Sequence, residues 1–101
     1  MHERELKAFV AVVEAGRMDR AASSLGYSQP AISYQIKCLE QELGTRLFSR
    51  YPDGVQLTQD GAMVLPAARA VLALFEGIKD VTVRAASVES ARPRSRRVTG
   101  S

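Results

Sequence analysis

The sequence predicts a mainly α fold, in which three short helices and a β-hairpin are followed by one long helix. Three observations carry this. Apolar residues recur at helical spacing in three blocks, closed by Gly16, Gly26 and Gly44. A Tyr51-Pro52-Asp53-Gly54 turn separates two short β-prone runs. Val64, Ala68, Val71, Phe75, Ile78, Thr82 and Ala85 then alternate in steps of four and three, which is a heptad seam.

Residues 3–15 read as an amphipathic helix with Leu6, Phe9, Val10 and Val13 on one face. Glu3 and Glu5 lie near its N-terminus, where the helix dipole favours acids. Residues 19–25 form a short second helix started by Asp19, and Ala21, Ala22 and Leu25 allow close packing. Residues 29–43 form a third. Ser28 is its N-cap, and Pro30 is tolerated because its missing N–H has no helical partner in the first turn. Ile32, Ile36, Leu39 and Leu43 make its inner stripe. Leu47–Arg50 and Val55–Thr58 are the expected strands, joined by a turn with proline second and glycine fourth, as a type I turn prefers. Thr58 can cap the long helix, which is expected to reach about Ser90. Pro66 inside it predicts a kink or a weak first turn, and Val81-Thr82-Val83 weakens its far end.

At 101 residues the chain is one small domain with an appendage, leaving little room for a deep substrate pocket. Cys38 is the one cysteine, so no internal disulfide forms, which fits a reducing cytosol. No apolar signal region opens the chain. The most apolar stretch, Ala62 to Phe75, is interrupted by Pro66 and Arg69 and falls short of the roughly 20 residues a bilayer needs. A cytoplasmic protein without membrane contact is expected. No nucleophile–base set, metal-spaced ligand cluster or phosphate-cradling glycine loop stands out, so no enzyme, metal or cofactor is expected. His2 reads as a surface residue and Cys38 as an inert thiol. The net charge of +3 is uneven: Arg92, Arg94, Arg96 and Arg97 belong to the tail, which leaves ten basic against eleven acidic groups over residues 1–91. Nucleic-acid binding therefore requires positive charge placed locally.

Gly26-Tyr27-Ser28 joins the second and third helices, and two helices joined by so short a glycine-containing turn make a helix-turn-helix. Its second helix is the one that enters the major groove of DNA. Opposite the inner stripe that helix offers Pro30, Ser33, Tyr34, Lys37 and Gln41, with Gln29 at its tip. Glutamine pairs bidentately with adenine, serine serves either base edge, and lysine reaches guanine or a phosphate. Tyr34 suits a phosphate or a thymine methyl, and Arg50 on the hairpin suits phosphates or the minor groove.

Over residues 1 to about 90 the chain resembles the LysR-type transcriptional regulators. The matching positions are Ala21-Ala22, Leu25, Ser28-Gln29-Pro30-Ala31-Ile32-Ser33, Gln35-Ile36, Leu39-Glu40-Gln41-Glu42-Leu43-Gly44, Leu47-Phe48, Arg50 and Leu57-Thr58-Gln59-Asp60-Gly61. The resemblance implies a winged helix-turn-helix over residues 1–58, a dimerising linker helix over 59–90, and a basic tail, expected to be disordered, over 91–101. It implies DNA contacts from Gln29, Pro30, Ser33 and Lys37, with Ser28 and Tyr34 beside them and Arg50 on the wing. Tyr34 stands where these regulators usually carry arginine, and Arg17-Met18-Asp19 replaces their usual start of the second helix. Family members continue into an effector-binding domain, so a small-molecule effector is expected only there.

The implied partners are double-stranded DNA bearing an inverted-repeat operator and a second copy of the chain. The second copy would meet Val64, Leu65, Ala68, Val71, Leu72, Phe75 and Ile78. Three alternatives stay open. The stripe at 64–78 could pack back on its own domain, and Lys37 could pair with Glu40 or Gln41. The near-neutral charge of residues 1–91 also suits a protein-interaction module with a vestigial helix-turn-helix.

Overall fold

The computed structural model describes the backbone of residues 1–91 and the side chains of residues 1–85. Beyond Ala91, the tail expected to be disordered lies outside the described residues. The elements are α1 (Glu3–Ala15), α2 (Met18–Leu25), α3 (Gln29–Leu43), β1 (Phe48–Tyr51), β2 (Gly54–Leu57) and α4 (Gln59–Ala91).

α1 is closed at its N-terminus by a specific bond: the His2 N–H donates to Glu5 Oε1 at 3.2 Å. It stops at Gly16, where φ is +77° and the N–H donates to the Val12 carbonyl. Its buried face is Leu6, Ala8, Phe9 and Val12. Val10 and Val13, expected on that face, are only half-buried, and Val10 lines a crevice shared with Leu72 of α4. α2 starts one residue earlier than expected because Met18, 6% exposed, belongs to the core. Asp19 lies inside its first turn and pairs with Arg17, Oδ1 to Nε at 3.0 Å. α3 is capped as expected, with Ser28 Oγ accepting the Ala31 N–H at 3.2 Å. Ile32, Ile36 and Leu39 are fully buried, but Leu43 is 36% exposed, because the last turn of α3 runs past the edge of the core.

The core fills the space between α1, α2 and α3 and is closed by Leu47 and Phe48 at the start of the hairpin. Phe9 and Phe48 meet with ring centroids 5.5 Å apart and planes tilted by 58°, a favourable offset geometry. Phe9→Ala is expected to cost about 3–5 kcal/mol, the usual range for removing a buried aromatic ring, measured by urea denaturation.

The antiparallel hairpin pairs Phe48 with Leu57, Ser49 with Gln56, Arg50 with Val55 and Tyr51 with Gly54. Each strand lies closer to the turn than expected, leaving only Pro52 and Asp53 between them. Gly54 holds φ at +151°, and a Cβ there would come within 2.7 Å of the Gly16 carbonyl oxygen. That same oxygen accepts the Val55 N–H at 3.1 Å, which seats β2 on the α1–α2 turn.

Thr58 caps α4: its Oγ1 accepts the Gly61 N–H at 2.9 Å and its hydroxyl donates to the Arg46 carbonyl at 2.6 Å. Helical backbone then runs unbroken past Pro66. The seam read from the sequence divides between two environments. Ala68 is 2% exposed in this chain's own core, and Val64, Leu65 and Leu72 are half-buried against it. Val71, Leu74, Phe75, Ile78 and Val81 are exposed. At about 100° per residue, this open stripe lies roughly a quarter-turn round the helix from the packed one. The apolar stretch is also longer than the sequence reading allowed, since Gln59–Ala85, with mean hydropathy 1.5, could span a bilayer by length and composition. Arg69, Glu76 and Asp80 line its remaining face and Lys79 continues the packed one, and charged side chains cost about 2.5–3.5 kcal/mol each at a bilayer centre.

Candidate nucleic-acid interface

α3 exists because its cap and its glycine stop define it locally, and its apolar stripe pins it to α1 and α2. That leaves the opposite arc in solvent. Ser28, Gln29 and Pro30 are exposed at its N-terminal tip, followed by half-buried Ser33, exposed Tyr34 and exposed Lys37. Tyr34 is 68% exposed, an unusual position for a large aromatic side chain with no partner surface to cover. The neighbouring Cys38 thiol holds its phenol above the ordinary tyrosine range.

The hairpin stands beside this arc. Pro30, Ser33, Tyr34 and Lys37 form one wall of an open groove of about 810 Å³, and Thr45, Arg46 and Arg50 form the other. Five of the seven residues singled out for DNA contact thus share one concavity, with Ser28 and Gln29 at its mouth on the same helix end. In the first turn of α3 the Gln29 N–H is left for a phosphate, since Pro30 has none and those of Ala31 and Ile32 are held by Ser28.

The electrostatics explain how a near-neutral domain can carry a basic surface. Glu3 pairs with Lys7 and Lys79, Glu14 with Arg69, Asp19 with Arg17, and Glu42 with the N-terminal amine. These acids lie away from the groove lining. Glu40, the one acid on the groove, is turned inward: its Oε2 accepts the Leu47 N–H at 2.7 Å and the Phe48 N–H at 3.3 Å. Lys37 therefore does not pair with Glu40, and among the described residues neither Lys37 nor Arg50 has an ion-pair partner. Glu40, Thr45 and Arg46 were missed in the sequence. Thr45 and Arg46 lie in an aperiodic connection, and nothing in the spacing of Glu40 betrays a bond to residues seven and eight positions on.

Comparison with known proteins accords with this geometry. The family described as "Bacterial regulatory helix-turn-helix protein, lysR family" matches residues 4–62. The regulator TfdT of Cupriavidus pinatubonensis is 46% identical over 76 residues, covering 75% of this chain and 33% of TfdT. ClcR of Pseudomonas putida is 47% identical over 87 residues, covering 86% of this chain and 29% of ClcR. The chain thus spans about a third of the length of these relatives. Among solved structures, the CbnR DBD–DNA complex superposes with a TM-score of 0.79 at 43% identity, covering 85% of this chain and 99% of that one. The BenM DBD complex with catB site 1 DNA gives 0.80 at 38% identity, covering 86% and 98%.

Proposed function

This chain belongs to the lysR family of bacterial regulatory helix-turn-helix proteins, and from that premise we propose that it is a transcription regulator's DNA-binding unit that binds an inverted-repeat operator as a homodimer. α3 enters the major groove, and the β1–β2 wing lies on the backbone or in the minor groove. The observation that carries this reading is the groove along the exposed arc of α3, which is lined by both Lys37 and Arg50, neither of them ion-paired among the described residues. Gln29 and Ser33 read base edges, with Pro30 and Tyr34 packed beside them. Lys37, Arg50 and the α3 N-terminus at Ser28 hold phosphates.

The relatives are named as regulators and not as enzymes, and the chain is assigned no reaction and no cofactor. It is assigned to the cytoplasm, where its operator is. A small-molecule effector, as in a full-length regulator, is assigned to sequence outside this unit. The exposed stripe of α4 is assigned to a second copy of the chain rather than to a bilayer.

The test is selection of a preferred duplex from a random-sequence pool, followed by fluorescence anisotropy across a salt series. Enrichment of one inverted repeat, with affinity falling as salt rises, is the expected result. Enrichment of no motif would refute the reading. Gln29→Ala and Ser33→Ala are expected to relax base preference. Arg50→Ala is expected to weaken all sequences alike and to reduce the salt slope by about one. Equal losses on preferred and scrambled DNA for all three variants would overturn this division of roles.

A further inference from the structure

A two-stranded hairpin is marginal by itself, so where this wing stands depends on its ties to the helical core. β2 is tied through the Gly16 carbonyl, which accepts the Val55 N–H at 3.1 Å, and the base is closed by the Thr58 N–H on the Leu47 carbonyl at 2.9 Å. The third tie is a side chain. Glu40 leaves α3 one turn after Lys37 and is nearly buried, with its side chain 12% exposed. One carboxylate oxygen, Oε2, accepts the N–H groups of both Leu47 and Phe48 at the entry to β1, and it lies 3.7 Å from Arg46 Nε. Leu47 and Phe48 are among the most buried residues of the chain, so without Glu40 their two amides would lack an acceptor. Arg50 follows Phe48 by two residues on the same strand.

We propose that Glu40 is a positioning residue that clamps the wing to the recognition helix and so sets where Arg50 meets the DNA backbone. The inference rests on the DNA-binding reading above. A charge-assisted hydrogen bond to phosphate needs the donor and acceptor within about 3 Å, so a small drift of β1 relative to α3 loses the contact. Base reading by Gln29 and Ser33, at the opposite end of α3, is left untouched.

The test compares Glu40→Ala, Glu40→Gln, Arg50→Ala and both double variants on preferred and scrambled duplexes, with amide hydrogen exchange measured on the free proteins. Glu40→Ala is expected to weaken binding to both duplexes by about tenfold and to reduce the salt slope by about one. The double variant with Arg50→Ala should bind no more weakly than Arg50→Ala alone, because both changes remove the same contact. Glu40→Gln, whose amide oxygen still accepts an N–H, should recover most of the affinity. Exchange at Leu47 and Phe48 should accelerate in Glu40→Ala while the α1 amides stay protected. Multiplying losses in the double variant, an unchanged salt slope, or unaltered exchange at Leu47 and Phe48 would each overturn the proposal. If Glu40→Ala does not fold, Glu40→Asp takes its place: the shorter side chain keeps the charge but withdraws the acceptor from Leu47 and Phe48, and multiplying losses with Arg50→Ala there overturn it equally. A native chain that selects no DNA site would sink the DNA-binding reading instead, and the exchange measurement would still decide whether the clamp exists.

Discussion

Gly61→Ala is expected to lower the unfolding free energy by about 3 kcal/mol, at the upper end of overpacking costs in a tight core. Gly61 is buried in the first turn of α4, and its backbone angles are ordinary, so the constraint is space. An added Cβ would collide with the Leu47 carbonyl oxygen and sit 2.8 Å from Leu57 Cδ1. The Leu47 carbonyl cannot swing aside, because it accepts the Thr58 N–H at 2.9 Å in the joint between hairpin and helix. Either α4 lifts off its seat, exposing Ala68 and Leu65, or that joint opens. Urea denaturation should show a lower midpoint with little change in slope. Gly77, in the exposed part of the same helix, has nothing within 4 Å of its Cβ position. Gly77→Ala should therefore stabilise by about 0.5–1 kcal/mol, through helix propensity alone. An unchanged midpoint for Gly61→Ala would mean that α4 is not seated on Leu47 in solution.

The second large effect concerns the open stripe of α4. Leu74 is 69% exposed and Ile78 is 63% exposed, one turn apart. Leu74→Asp combined with Ile78→Asp should convert the proposed dimer to a monomer, read by sedimentation velocity. Affinity for an inverted repeat should then fall by about 100-fold or more, because the second half-site is no longer bound intramolecularly. Binding to a single half-site should change little. Ala73→Asp, on the far side of the helix from the stripe, should leave both assembly and affinity as they were. A double variant that still sediments as a dimer would move the interface elsewhere. Ile78 belongs to the seam read in the sequence, and Leu74 does not. Ala68 is already covered by its own domain, whereas Leu74, absent from the heptad positions, is the most exposed apolar residue on the stripe.

How much was legible follows from the range of the interactions involved. The Ser28 cap bonds Ala31 three residues on, and Gly16, Gly26 and Gly44 each end a helix through bonds to carbonyls within four residues. Such contacts are written in adjacent residues, so α1, α3 and the helix-turn-helix were read nearly to the residue. The arc of α3 was equally legible, because burying Ile32, Ile36 and Leu39 fixes by geometry which side chains face away. The hairpin turn was found, but each strand was placed one residue from its true bounds. Its register answers to the seat of Val55 on Gly16, which no local pattern encodes.

The sequence by itself determined the helices, the caps at Ser28 and Thr58, the glycine stops, the turn between α2 and α3, and the identity of the residues on the outward arc. Those depend on bonds spanning three or four residues and on a fixed 3.6-residue period. Only the tertiary structure decided which partner covers each apolar residue of α4, why Gly61 admits no side chain, and that Glu40 serves β1 rather than Lys37. An apolar period reports that a face must be buried. Whether it is buried by its own domain or left for another chain depends on where the core ends, and that is set by how all the elements pack together.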